Sequence, residues 1–129
     1  EHRGIIIDLI LRSMELTLED ENCDLLSELC ISGLLIDPSF LLSSLAQKAL
    51  ALLADSQSDD GWLMSDYSFS QDFTALNRAE RESIRYSLFH TTCVSVLLDT
   101  LMKSFSIQWP NKSFQRTGKM LRLLPSAEL

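Results

Sequence analysis

The dipeptide Asp37-Pro38 interrupts a leucine-rich stretch that would otherwise read as one unbroken helical pattern. The residue before a proline is driven out of the α region, whereas proline itself is accommodated at a first helical position, where its missing N–H breaks no bond. One helix therefore stops here and the next starts. Before the break, Leu25, Leu26, Leu29, Cys30, Leu34 and Leu35 recur at helical spacing, and after it Phe40, Leu41, Leu42, Leu45, Ala46, Ala49, Leu50, Leu52 and Leu53 do the same. The later set covers so wide an arc that it predicts burial on more than one side, with Ala46 and Ala49 small enough for a neighbouring backbone to approach closely.

Two further helices follow from the same period. Gly4 precedes a helix of roughly 14 residues in which Ile6, Ile7, Ile10, Leu11, Met14 and Leu18 form one face, with Asp8, Arg12 and Glu15 away from it. The acidic, cap-competent run from Glu19 to Asn22 then opens the helix that ends near Ile36. Asn77 with Glu80 makes a capping-box variant that starts a fourth helix, expected to reach about Ser106. Its first half, Arg78 to Arg85, is mostly charged, pairs Arg78 with Glu82 at i and i+4, and should face solvent. In its second half Tyr86, Phe89, Cys93, Leu97, Leu101 and Phe105 align, flanked by Ile84, Leu88, Val94, Leu98 and Met102, and this half is expected in the core. Trp109-Pro110 is the expected stop, and residues 113–124 could form a last helix interrupted by Gly118. No alternating runs joined by a hairpin turn are present. The chain is read as all-α, with four to five helices.

Residues 25–54, with Leu34, Leu35, Asp37, Pro38, Ala46, Ala49, Leu50 and Leu53 at the matching positions, resemble one unit of a HEAT or armadillo repeat. The resemblance implies a scaffold that binds other proteins, and the fold is expected to be either an irregular repeat of that kind or a compact bundle. It carries no catalytic residues. No second copy at the expected period is legible, and the stretch from Asp55 to Leu76 is long for a connection between repeats.

At 129 residues and 46% apolar the chain has the size of one domain. Starting at Glu1 and ending at Leu129, it is expected to be a segment of a larger protein, with an acidic-aromatic loop at 55–76 and a basic segment at 107–129. No apolar run approaches the ~18 residues of a membrane span, and no membrane association is expected. Cys23, Cys30 and Cys93 are odd in number and sit in helical stretches, which suits a reducing compartment, cytoplasm or nucleus, better than a disulfide framework. Charge is unevenly spread: residues 1–76 carry 14 acidic and 3 basic side chains, and residues 101–129 carry 1 acidic and 5 basic. Such a body disfavours nucleic acid and favours a protein partner with a basic or mixed surface. Lys112, Arg116, Lys119 and Arg122 would also let the tail dock on the acidic body of a second copy, so homo-oligomerisation is the alternative reading.

Chemical signatures fail on spacing. Counted from Asp55, an EF-hand frame has Asp60 where its glycine belongs and Asp66 where its bidentate glutamate belongs; counted from Ser56, Gly61 falls correctly but Tyr67 ends the loop. His90 and Cys93 are three apart on one helix, yet no orienting third group is legible, and a cysteine on an apolar stripe reads as a small core residue. Cys23 and Cys30 share a helix face without zinc-knuckle spacing, and no glycine-rich phosphate loop exists. The chain is expected to be no enzyme and to need no cofactor or metal. What stands out is the loop: Trp62, Met64, Tyr67, Phe69 and Phe73 among Asp59, Asp60 and Asp66. Leaving large aromatics in water costs roughly 1.5–3 kcal/mol each. They are expected either to pack over the helices or to anchor a partner, the aspartates steering it by charge.

Overall fold

The computed structural model describes residues 2–57 and 77–110, the side chains of Arg81, Ile84, Arg85, Ser87 and Leu88 excepted. Four α-helices account for most of these: α1 (His2–Asp20), α2 (Cys23–Ile36), α3 (Ser44–Ser56) and α4 (Arg78–Ser104), with a 3₁₀ helix at Pro38–Leu42. No strand occurs among the described residues, and the fold is an all-α helical bundle. None of these helices is long and apolar enough to cross a membrane.

The bundle is organised around α2, which packs against α1, α3, α4 and the 3₁₀ helix. Its sequence explains that position, because a helix apolar on nearly all sides must be surrounded. Leu26, Cys30 and Leu34 are completely buried, joined in one core by Ile10 and Met14 of α1, Phe40 and Leu41, Ala46, Ala49, Leu50 and Leu53 of α3, and Leu98 and Met102 of α4. The wide apolar face expected of α3 meets α1, α2 and the 3₁₀ helix.

Local chemistry sets the helix ends. Asn22 caps α2 by accepting from the Leu25 N–H at 3.0 Å, and Asn77 caps α4 by accepting from the Glu80 N–H at 2.9 Å. Proline does not open α3 directly, as the sequence had suggested. Asp37 stops α2, and its carboxylate accepts from both the N–H and the hydroxyl of Ser39, starting one 3₁₀ turn that brings Phe40 and Leu41 into the core. Only then does Ser43, accepting from the Ala46 N–H, open α3. The Ser39 hydroxyl, then its N–H, and more weakly Arg3 hold the Asp37 carboxyl below its ordinary range. The folded pKa being depressed, this cap contributes at neutral pH and is lost as acid protonates it.

Helix α1 begins before Gly4 rather than after it and runs for 19 residues. Arg3 supplies the reason, donating to the Ile36 carbonyl at the end of α2 and so tying the first turn to the bundle. A methyl group at Gly4 would meet nothing, so this glycine is not required by packing. The other ends of α1 and α4 share one device. Asn22 N–H bonds to Thr17 C=O and Glu21 N–H to Leu18 C=O after α1, while Ile107 N–H bonds to Met102 C=O and Ser106 N–H to Lys103 C=O after α4. Both are Schellman motifs, with Glu21 (φ 52°) and Ser106 (φ 58°) in the left-handed position that glycine usually fills. Helix α4 therefore ends at Ser104, ahead of the Trp109-Pro110 stop that the sequence suggests.

The face that α4 buries is only in part the expected one: Leu98 and Met102 of the flanking set are buried as expected, but most of the aligned stripe is not. Tyr86, Cys93, Leu97 and Phe105 of the aligned stripe are exposed and Phe89 and Leu101 half-buried, whereas Thr91, Thr92, Ser95 and Asp99 are buried beside Leu98 and Met102. Ser95 and Asp99 can take the inner face because they find partners there, whereas the buried Thr91 hydroxyl meets no partner among the described residues. The Ser95 and Ser27 hydroxyls bond at 2.7 Å across the α2–α4 seam, and Ser27 also donates to the Cys23 carbonyl. Asp99 receives the Trp109 indole N–H at 2.9 Å and pairs with Lys103 at 3.1 Å. With Ile107 and Trp109 packed on the core, the start of the 107–129 segment is thereby fastened to the bundle.

Candidate functional site

Helix α1 has two apolar faces. Ile10, Met14 and Thr17 point into the bundle, while Ile5, Leu9 and Leu16 are 61%, 58% and 67% exposed. At 100° per residue these three lie within about 40° of one another, forming a line along the outer surface. Ile6, also exposed, widens it at the N-terminal end. Asp8, Glu15 and Glu19 fall on a second exposed line, within about 40° of one another and on one flank of the apolar strip. The result is an apolar ridge edged by carboxylates, with Arg12 interposed. The densest apolar stripe in the sequence marks the inner face, except that Ile6, expected on it, is exposed; Ile5, Leu9 and Leu16 are the remainder of the apolar pattern.

A second exposed apolar strip lies on α4, where Tyr86 and Leu97 are exposed with Cys93 between them. Cys93 is thus a surface thiol and not the core residue expected from its stripe, whereas Cys23 and Cys30 are buried. Burial pushes the Cys30 thiol up to about 12, and partial desolvation raises that of Cys93 as well. A buried, protonated thiol is inert. Among these three, Ellman's reagent should label only Cys93 in the native protein, with a rate that climbs at higher pH than for an ordinary thiol; Cys93→Ser should abolish the fast phase. Labelling of two or more thiols without denaturant would contradict this packing.

His90 does not turn toward Cys93 for an acid–base pair. Its Nδ1 lies 3.0 Å from Asp24 Oδ1 on α2. At the charged start of α4, Arg78 and Glu82 form the expected exposed pair at 3.1 Å. The eight residues that the sequence singles out for partner binding, Asp59, Asp60, Trp62, Met64, Asp66, Tyr67, Phe69 and Phe73, lie outside the described residues, as does the basic stripe Lys112, Arg116, Lys119 and Arg122. Of the stretch expected as a loop, Asp55 and Ser56 instead close α3, and Gln57 caps it.

Residues 3–100 match the family described as a domain of unknown function, DUF6895. The chain belongs to this family. The matched segment takes in all of α2, the 3₁₀ helix and α3 and nearly all of α1 and α4, so both the α1 ridge and the α2–α4 seam fall within the DUF6895 domain. No curated protein and no solved structure matches the chain.

Proposed function

We propose that this DUF6895 domain is a non-enzymatic protein-interaction module of a larger intracellular protein, a scaffold in the manner of HEAT and armadillo units. The outer ridge of α1 is its described docking face. One observation carries the reading: Ile5, Leu9 and Leu16 form an exposed apolar line on a helix whose other face is already committed to the core. Contiguous apolar surface is costly to leave in water and marks contact sites. The carboxylates of Asp8, Glu15 and Glu19 on its flank select a partner with basic side chains beside an apolar stripe, as on a basic amphipathic helix. Three free cysteines suit a reducing compartment, cytoplasm or nucleus. The Asp37-Pro38 turn between α2 and the segment leading into α3 supports the repeat-like reading, and Trp62, Met64, Tyr67, Phe69 and Phe73 among Asp59, Asp60 and Asp66 are a second set of candidate partner contacts.

The test is site-specific photo-crosslinking in the source cells, with the reactive amino acid at Leu9 and, as control, at exposed Lys48 of α3. A defined protein trapped from position 9 and not from 48 is expected. A Leu9→Asp/Leu16→Asp variant with unchanged helical circular dichroism should bind that protein at least about tenfold more weakly, an effect of the size of one interface hot spot. Undiminished affinity of this folded variant would remove α1 from the interface.

A further inference from the structure

Asp24 and Glu28 stand four residues apart on α2, so their carboxylates rise on the same face of the helix. Helix α4 packs over that face and brings His90 to it. One donor atom from each of the three residues lies within 4.8 Å of the other two.

Two observations set this cluster apart from a solvated ion pair. Asp24 Oδ1 is shielded from solvent yet accepts no hydrogen bond, although His90 Nδ1 is 3.0 Å away. The contact leaves that shielded oxygen without a well-directed hydrogen-bond donor, an acceptor position open to another ligand. Secondly, two carboxylates face a single imidazole, and among the described residues no lysine or arginine pairs with either of them. Among the described residues the cluster is short of positive charge and has donor atoms to spare.

We infer that Asp24, Glu28 and His90 form a binding site for a divalent cation of the Zn²⁺ class, which staples α4 to α2. Two carboxylate oxygens and one imidazole nitrogen make a mixed donor set that suits zinc, whereas Mg²⁺ and Ca²⁺ favour oxygen alone. Metal–ligand lengths of about 2.1 Å at tetrahedral angles place donors about 3.4 Å apart. His90 Nδ1 and Asp24 Oδ1, 3.0 Å apart, are close to that spacing, and Glu28, within 4.8 Å of both, is exposed and has three side-chain torsions with which to close the remainder. The ion would satisfy the orphaned oxygen, offset the excess carboxylate charge and leave a fourth position to water. It would also join two helices whose ligands are far apart in sequence.

Chelator-stripped full chain carrying Cys93→Ser, which removes the nearby surface thiol, is titrated with ZnCl₂ by calorimetry. One equivalent is expected to bind, with His90→Ala and Glu28→Gln each weakening binding at least about tenfold, as loss of a ligand should exceed loss of a ligand's supporting group. Saturating Zn²⁺ should raise the thermal midpoint of the Cys93→Ser protein by several degrees, through preferential binding to the folded state, and raise that of its His90→Ala variant clearly less at the same concentration; MgCl₂ should raise neither. All three residues are at least partly exposed, so circular dichroism should show the variants folded. Absence of saturable binding, or one-equivalent binding undiminished in both variants, would overturn the site and leave only the His90–Asp24 contact.

Discussion

Replacing Gly33 by alanine should destabilise the domain by about 2–3 kcal/mol, the scale of an overpacked core. In an ordinary helix interior the same change would stabilise by about 1 kcal/mol, because alanine is the better helix former. Here the ring of Phe40 lies on the bare backbone of α2: a Cβ at residue 33 would sit 2.2 Å from Phe40 Cδ1 and 2.6 Å from Cγ. Those atoms belong to the base of a buried ring held by the 3₁₀ turn, so the clash cannot be relieved by swinging a flexible tip aside. The thermal midpoint should fall by roughly 10 °C. Phe40→Leu in the Gly33→Ala background should cost less than the two single changes added together, since the smaller side chain releases the overlap. A neutral or stabilising Gly33→Ala would show that Phe40 does not rest on α2.

The second large effect is expected at Asp99. This carboxylate is 1% exposed, accepts from the Trp109 indole N–H and pairs with Lys103 one turn along α4. Lys103 is two-thirds exposed, so its share of the interaction is screened by water and small. The larger share comes from the part-buried indole, because Asp99→Ala strips that N–H of its acceptor and leaves a gap under α4. A loss of about 2–3 kcal/mol in urea unfolding is expected, with Asp99→Asn, which keeps an acceptor oxygen, losing less. Trp109→Phe should cost less in the Asp99→Ala background than alone. Amides from Phe105 to Trp109 should exchange faster in Asp99→Ala, as the indole bond helps hold that segment on the core. Additive single and double changes would mean the indole bond contributes nothing.

These two positions show how legibility was divided. Helix existence and most boundaries were local matters: proline geometry at Asp37-Pro38, the side-chain caps at Asn22 and Asn77, and the three-and-four spacing of leucines act within a few residues. Hence α2 and α4 begin where reading predicts. Where the reading slipped, the cause was a contact from elsewhere in the chain or one that apolar spacing cannot register. Arg3 reaches the Ile36 carbonyl and lengthens α1, and the Schellman closure at Ser106 ends α4 early without glycine.

The orientation of α4 is the clearest case. Apolar periodicity assigns Tyr86, Cys93 and Leu97 to the inside, on the assumption that polar residues prefer water. That preference reverses when buried hydroxyls and carboxylates are given partners, and those partners, Ser27 on α2 and Trp109 beyond the helix, are separated from Ser95 and Asp99 by distances in sequence that no local pattern spans. The same limit hid the Asp24, Glu28 and His90 cluster, since i and i+4 carboxylates are common and the histidine arrives from another helix. From the sequence alone came an all-α chain, its breaks and its acidic charge, because helix period and capping are short-range. Only the tertiary structure decided which face of each helix is inside, which glycine is indispensable and which charged side chains meet, because those depend on the one partner surface each helix finds in the folded bundle.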